Sequence, residues 1–265
     1  MLFALIIHNY FNIEKMIYKI EEAARGFIYH WFVYMVGSLK QIDLSSKIDI
    51  CFDREDYTEY KKETFDILSD VINVVSNNCE YKLLPSIKPI DATNNSGIDH
   101  VDVTTYPFLR ELFLSRVNGF DTSKYEKIYI RRNRSHLCEG NMSDNGIKRR
   151  QIINEDDLVL ELKKIGFNCI NFEDYTVSEK VQIFNNAKVV VAPQSGGLVF
   201  SLFAGENTKI VEIYPPNPHQ YCDQYIDICK NLKIEFTRYC DVTKMDYHDN
   251  MIVYPDKLVN YLSNF

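Results

Sequence analysis

Apolar positions in the carboxy-terminal half of the chain alternate between two rhythms. Residues 127–130, Lys-Ile-Tyr-Ile, predict a short strand that runs into Arg131 and Arg132. Apolar side chains then recur at 158, 159, 162 and 165, the spacing of one helix face, behind the capping run Asn154-Glu155-Asp156-Asp157. Gly166 closes that helix, and residues 167–172 predict the next strand. Residues 178–186, entered through Thr176 and Ser178, read as a second helix, and the apolar run 187–192 as a third strand. Two of the ten glycines, Gly196 and Gly197, then stand side by side where the chain must turn into a short helix before a strand at 209–213. Strand and helix alternating in this way imply a parallel sheet whose loops gather at its carboxyl edge. Arg131, Arg132 and the Gly196-Gly197 turn share that edge, where the N–H groups of a helix start attract phosphate.

The amino-terminal half divides more coarsely. Residues 1–7 predict a strand, 13–24 and 30–39 helices, and 47–53 a strand that ends on Asp53. Residues 65–75 read as a helix with apolar positions 65, 67, 68, 71, 72, 74 and 75, and residues 106–117 as another. A proline-containing polar stretch around 85–97 reads as a loop, and residues 118–121 as the hinge between halves 1–120 and 121–265. No internal repeat or low-complexity tract is evident.

Composition narrows the class. A hydrophobic content of 46% supports a substantial core, and a net charge of −7 argues against broad nucleic-acid binding, which needs a positive surface. The arginines are a local exception, since Lys148-Arg149-Arg150 forms a second cationic cluster across a polar loop from Arg131, Arg132 and Arg134. Seven cysteines without metal-ligand spacing point to buried thiols in a reducing compartment. The apolar stretches at 1–7 and 27–36 are too short to span a bilayer, which takes about 20 residues. The expectation is a cytoplasmic protein without a membrane span, of bacterial or viral origin.

Five segments in order, Ile-Tyr-Ile-Arg-Arg (128–132), Arg-Arg-Gln-Ile-Ile-Asn-Glu (149–155), the stretch 172–184, Ala-Lys-Val-Val-Val-Ala-Pro-Gln-Ser-Gly-Gly-Leu (187–198) and Lys-Ile-Val-Glu-Ile-Tyr-Pro-Pro (209–216), resemble glycosyltransferase family 61. That family includes plant xylan xylosyl- and arabinosyltransferases and animal O-linked N-acetylglucosamine transferases. Tyr29-His30-Trp31-Phe32 is similar to the family's amino-terminal His-Trp helix. The resemblance implies an α/β protein of GT-B type, two Rossmann-like halves facing a cleft. It also implies an inverting transferase that moves a sugar from a UDP-sugar, xylose favoured and N-acetylglucosamine next, to a glycan or glycoprotein acceptor. No cofactor follows from it, because the UDP-sugar is a substrate.

The family's arginine after the first strand corresponds to Arg132, or to Arg131 in a register one residue earlier, and the next arginine to Arg150. Its Asn-Glu pair corresponds to Asn154-Glu155, and its glycine-rich turn to Gln194, Ser195, Gly196 and Gly197. The family usually shows His-Gly-Ala-Gly there, and Gln194 keeps the hydrogen bonding of a histidine while losing its charge. A non-catalytic nucleotide-sugar or glycan binding module is therefore the alternative reading. Arginines suit the diphosphate because a guanidinium stays charged and grips phosphate through two N–H groups. No metal is expected, since no Asp-x-Asp stands at a strand end. Glu212 is a candidate for the ribose hydroxyls or for an ion pair with a neighbouring arginine. His30 and Asp53 are the candidate general bases, with a plain core histidine as the other reading of His30.

Overall fold

The computed structural model describes residues 16–20, 28–52, 58–75, 80–85, 102–132, 150–218, 223–263 and 265. Strands β1 (Ile17–Ile20), β2 (Ile48–Cys51), β3 (Ile72–Val75) and β4 (Lys82–Leu84) form a parallel sheet in the order β3-β2-β1-β4. Between β1 and β2 lies a helical segment that changes pitch along its length. It opens as α1 (Ile28–His30), widens to a π turn at Trp31–Met35 and tightens to a 3-10 helix at Val36–Gln41. Helix α2 (Glu59–Ile67) joins β2 to β3.

Two expectations for this half are corrected. Residues 17–20, expected within a helix, are β1, because Ile-Tyr-Lys-Ile supplies the β-branched and aromatic residues that fit a strand. The expected helix at 65–75 is the end of α2, a turn and then β3. The run Ile-Asn-Val-Val is too short for its period to tell helix from strand, and it pairs along β2 from Ile48↔Ile72 to Cys51↔Val75. The expected strand at 1–7 lies outside the described residues.

Helix α3 (Thr105–Leu114) leads into a second sheet of β5 (Lys127–Arg131), β6 (Asn168–Asn171), β7 (Val189–Pro193), β8 (Lys209–Ile213) and β9 (Glu235–Tyr239). Its order is β6-β5-β7-β8-β9, with every pair parallel. Helix α4 (Glu155–Lys164) connects β5 to β6, and α5 (Val177–Asn186) connects β6 to β7. A 3-10 helix (Gly196–Phe203) and α6 (Gln224–Asn231) make the next two crossovers. Thr176 and Glu179 close a reciprocal capping box at the start of α5, which explains the sharp entry that the sequence announces. An antiparallel hairpin of β10 (Val242–Lys244) and β11 (Met251–Val253) precedes α7 (Pro255–Leu262).

Helices cover both faces of the second sheet. On the outer face, Leu158 and Leu162 of α4 pack with Leu258 and Leu262 of α7 over Tyr129, Val191 and Val211. On the inner face, α5, the 3-10 helix and α6 join one apolar cluster that continues into the first half. Phe32 of the π turn meets Phe200 and Phe203 edge-on at 5.4 and 6.0 Å between ring centres. Polar bonds cross the same boundary: the Val177 N–H donates to Glu63 at 2.7 Å, and Arg110 donates to the Ala204 carbonyl. No helix among the described residues is long and apolar enough to cross a membrane.

Candidate functional site

The strand order of the second sheet reverses between β5 and β7. The chain steps outward from β5 to β6 through α4 on one face, then returns to β7 through α5 on the other. Ligands of such sheets bind in the crevice beyond the carboxyl ends of the two strands at the reversal. Arg131 and Arg132 stand at the end of β5, and Gln194 to Gly197 follow β7. The structure thus brings the two segments to one edge, and the Arg132 guanidinium donates to the Gln194 carbonyl across the crevice.

Strand alternation sends the two arginines to opposite faces. Arg131 turns outward, where its Nε meets Glu155 at 3.4 Å and its terminal nitrogen meets Asp156 at 2.7 Å. Buried Glu155 also accepts from the Tyr129 hydroxyl at 2.9 Å and from the Arg132 backbone N–H at 3.0 Å. Burial pushes the Tyr129 phenol well above its ordinary value, which keeps it a donor in this cluster. Arg131 is therefore engaged in holding α4 against β5.

Arg132 turns inward, with no carboxylate of the described residues within ion-pair distance. Burial first, and then the like charge of Arg150, lower its guanidinium to about 10, so it remains a cation at neutral pH. Arg150 likewise has no ion-pair partner among the described residues, and its charge also reaches Glu212. Neither arginine thus has an ion-pair partner among the described residues, while the charge of Arg150 bears on both Arg132 and Glu212, and Glu173 and Glu155 favour the Arg132 charge from further off.

Further along the inner face, Gln194 is 0% exposed, and neither its amide nitrogen nor its amide oxygen has a hydrogen-bond partner among the described residues. Glu212, inside β8 and cross-strand from Arg238, is equally buried. One of its oxygens accepts from Arg238 at 2.7 Å and the other has no partner among the described residues. Burial raises its carboxyl to about 7, against the pull of Arg238. Arg238 in turn bonds Asp223 at 2.7 Å and lies over the Tyr214 ring at 3.9 Å. The ion-pair reading of Glu212 is thus present, while its second oxygen stays available. Arg238 was invisible in the sequence, although the alternation of Glu-Phe-Thr-Arg-Tyr along β9 places it opposite Glu212.

The remaining candidates divide. A methyl group on Gly196 would come within 3.0 Å of Ile28, and one on Gly197 within 3.1 Å of Phe172. Neither glycine has a positive φ, so close packing rather than turn geometry calls for them. The contact of Gly196 with Ile28 brings the start of the first helical segment to the site, with His30 two residues on. The His30 ring stacks on Tyr34 at 4.9 Å, and Tyr29 beside it meets Tyr225 edge-on at 6.2 Å. Tyr225 in turn is close enough to Arg132 to favour its charge. Ser195 is half-buried at the same turn. Asn154 occupies the N-cap of α4, but its amide pairs with both the N–H and the C=O of Val253, at 3.1 and 2.7 Å, and so anchors β11. Asp53 and the loop residues Arg134, Lys148 and Arg149 lie outside the described residues. Among the described residues, no group of three His, Cys, Asp or Glu side chains is placed to hold a metal ion.

The family pattern described as Glycosyltransferase 61 matches residues 11–211. The chain belongs to glycosyltransferase family 61. Two curated relatives, both named Protein O-linked-mannose beta-1,4-N-acetylglucosaminyltransferase 2, agree with the assignment. The protein of Xenopus laevis is 26% identical over 114 residues, 41% of this chain and 19% of the relative. That of Mus musculus is 32% identical over 79 residues, 28% of this chain and 14% of the relative. The matched segments therefore span a fifth or less of the length of either relative.

Proposed function

We propose that this family member transfers a sugar from a UDP-sugar to a glycan or glycoprotein acceptor, with inversion and without a metal. The observation that carries the reading is that Arg132, at the reversal point of a parallel sheet and within reach of the Arg150 charge, bonds the Gln194 carbonyl and has no ion-pair partner among the described residues. A diphosphate laid there relieves the repulsion between the two cations and accepts charge-assisted hydrogen bonds from both. The inward-facing Gln194 amide and the second Glu212 oxygen then serve the rest of the nucleotide, with Ser195, Gly196 and Gly197 closing the turn beside it. Both curated relatives carry N-acetylglucosaminyltransferase in their names, which moves N-acetylglucosamine ahead of xylose as the proposed sugar.

In this proposal residues 121–265 hold the donor and residues 1–120 the acceptor, as two halves of GT-B type. An acceptor hydroxyl attacks the anomeric carbon from the side opposite the diphosphate. The new C–O bond forms as the bond to UDP breaks, UDP leaves with the electron pair, and the hydroxyl proton passes to a base. His30 is the proposed base, and Asp53 is the other candidate. The cytoplasmic setting belongs to the same proposal and rests on the unpatterned cysteines. The non-catalytic alternative is favoured by one feature, the non-titrating Gln194 where the family usually has histidine.

Purified protein supplied with radiolabelled UDP-N-acetylglucosamine, UDP-xylose and other nucleotide sugars, with and without chelator, tests both readings. The transferase reading expects sugar release from a UDP-sugar that survives chelation. It expects His30→Ala to be slower by about 100- to 10,000-fold while UDP affinity is kept, because a base touches the acceptor. UDP binding with no turnover of any donor favours the binding module.

A further inference from the structure

Residues 245–250 form the loop between β10 and β11, beyond the segment that the family pattern matches. Asp246 organises it: one carboxylate oxygen accepts from the backbone N–H groups of His248 and Asn250 at 2.9 and 3.1 Å, and the other from the Asn250 amide at 2.7 Å. The Met245 N–H donates to the Asn250 carbonyl at 2.7 Å and closes the loop. Held in this way, Asn250 presents its side-chain oxygen to the Gln151 N–H at 2.9 Å. The Arg150 N–H donates to the His248 carbonyl at 3.0 Å. Past these two contacts Ile152 and Met251 form a parallel bridge, and the chain enters α4.

The backbone of Arg150 shows why such support matters. Its φ is 54°, in the left-handed region that a residue with a Cβ rarely adopts. Asn217 and Asp249, at 48° and 60°, share that conformation. Lys244 ties those two together, donating to the Asn217 carbonyl at 2.9 Å and pairing with Asp249 at 2.6 Å. Of the four non-glycine residues with positive φ among the described residues, only Lys233 stands outside this network. Strained backbone of this kind persists where its surroundings over-determine it, and it clusters at ligand clamps. Asn217 lies shortly after β8, the strand that carries Glu212, so the hairpin loop is linked both to Arg150 and to the chain beyond Glu212.

We infer that Asp246 and Asn250 are positioning residues of the donor site. They fix the strained backbone of Arg150 so that its guanidinium is presented towards Arg132 and the diphosphate. Neither residue touches the nucleotide. The inference rests on the diphosphate reading of the two arginines and adds to it a built support from outside the family-matched segment.

Titration calorimetry of the full chain with UDP, and separately with inorganic pyrophosphate, tests this in wild type, Arg150→Ala, Asn250→Ala and the double variant. If Asn250 acts through Arg150, Asn250→Ala raises Kd by about tenfold in the wild-type background and leaves the Arg150→Ala value unchanged. The milder Asp246→Asn, which keeps the side-chain shape, is expected to raise Kd about threefold, again only where Arg150 is present. It carries the test should Asn250→Ala fail to fold. The inference is overturned if the loop variants bind as wild type does, or if they weaken binding by the same factor in both backgrounds, as general loosening would. A wild type that binds neither probe, or an Arg150→Ala variant that binds equally well, refutes the donor-site reading itself and this inference with it.

Discussion

The two faces of the second sheet carry similar side chains in opposite states. On the outer face, Glu155 is buried and saturated: the Tyr129 hydroxyl, the Arg131 guanidinium and the Arg132 N–H all donate to it. On the inner face, among the described residues, the buried Gln194 amide and one Glu212 oxygen have no hydrogen-bond partner, and Arg132 has no ion-pair partner while the Arg150 charge bears on it. Buried polar groups in folded proteins are nearly always hydrogen-bonded, so a saturated cluster requires nothing beyond the fold. An unsaturated one at the edge where ligands bind points to a group that completes it. Arg131 and Arg132, one strand position apart, thus stand in a saturated cluster on one side and beside unsaturated polar groups of the described residues on the other.

The largest effect that sharpens this contrast is expected on the outer face. Glu155→Ala leaves the buried Tyr129 hydroxyl and the Arg132 N–H without their acceptor and Arg131 with Asp156 alone, and breaking a buried charged cluster from one side costs about 3 to 5 kcal/mol. Urea unfolding measures it, and a loss below about 1 kcal/mol would remove Glu155 from the structural role given to it.

The inner face is expected to show its strain through pH. The Glu212 carboxyl lies at about 7 in the folded chain, against an ordinary value of 4.5. A group raised on folding gives its full stabilisation below the ordinary value and loses it as pH rises through the folded one. Between pH 4.5 and 7 the wild type should therefore lose stability relative to Glu212→Gln, by roughly 3 kcal/mol at most. Parallel stability curves for the two proteins across that interval would show that the Glu212 environment imposes no such burden.

How much of this was legible in the sequence follows from how local each signal is. The second sheet announced itself through apolar runs such as Val-Val-Val-Ala, helix-spaced positions 158, 159, 162 and 165, and the Thr176/Glu179 cap, all contained within a few residues. In the first sheet, Ile17–Ile20 and Ile72–Val75 sit in apolar stretches whose spacing also suits a helix, and only pairing with β2 and its neighbours settles them as strands. At the site, the strand ends placed Arg132 and Gln194 on one edge. The diversion of Arg131 depends on Glu155 and Asp156, more than twenty residues later, and the pairing of Glu212 depends on Arg238 on the next strand, 26 residues further on. The 245–250 loop reaches Arg150 across a still longer separation, and no local pattern signals it.

The donor site is tested most directly at the neighbouring arginines. Titration of UDP into wild type, Arg131→Ala and Arg132→Ala compares two cations next to each other in sequence and on opposite faces of the sheet. Loss of Arg132 should weaken binding by about 1.5 to 3 kcal/mol, roughly 10- to 150-fold, as expected for one charge-assisted contact. Loss of Arg131 should leave the affinity within about twofold, because its partners are Glu155 and Asp156. Equal weakening in the two variants, or no weakening in either, would contradict the assignment of the inner face to the donor.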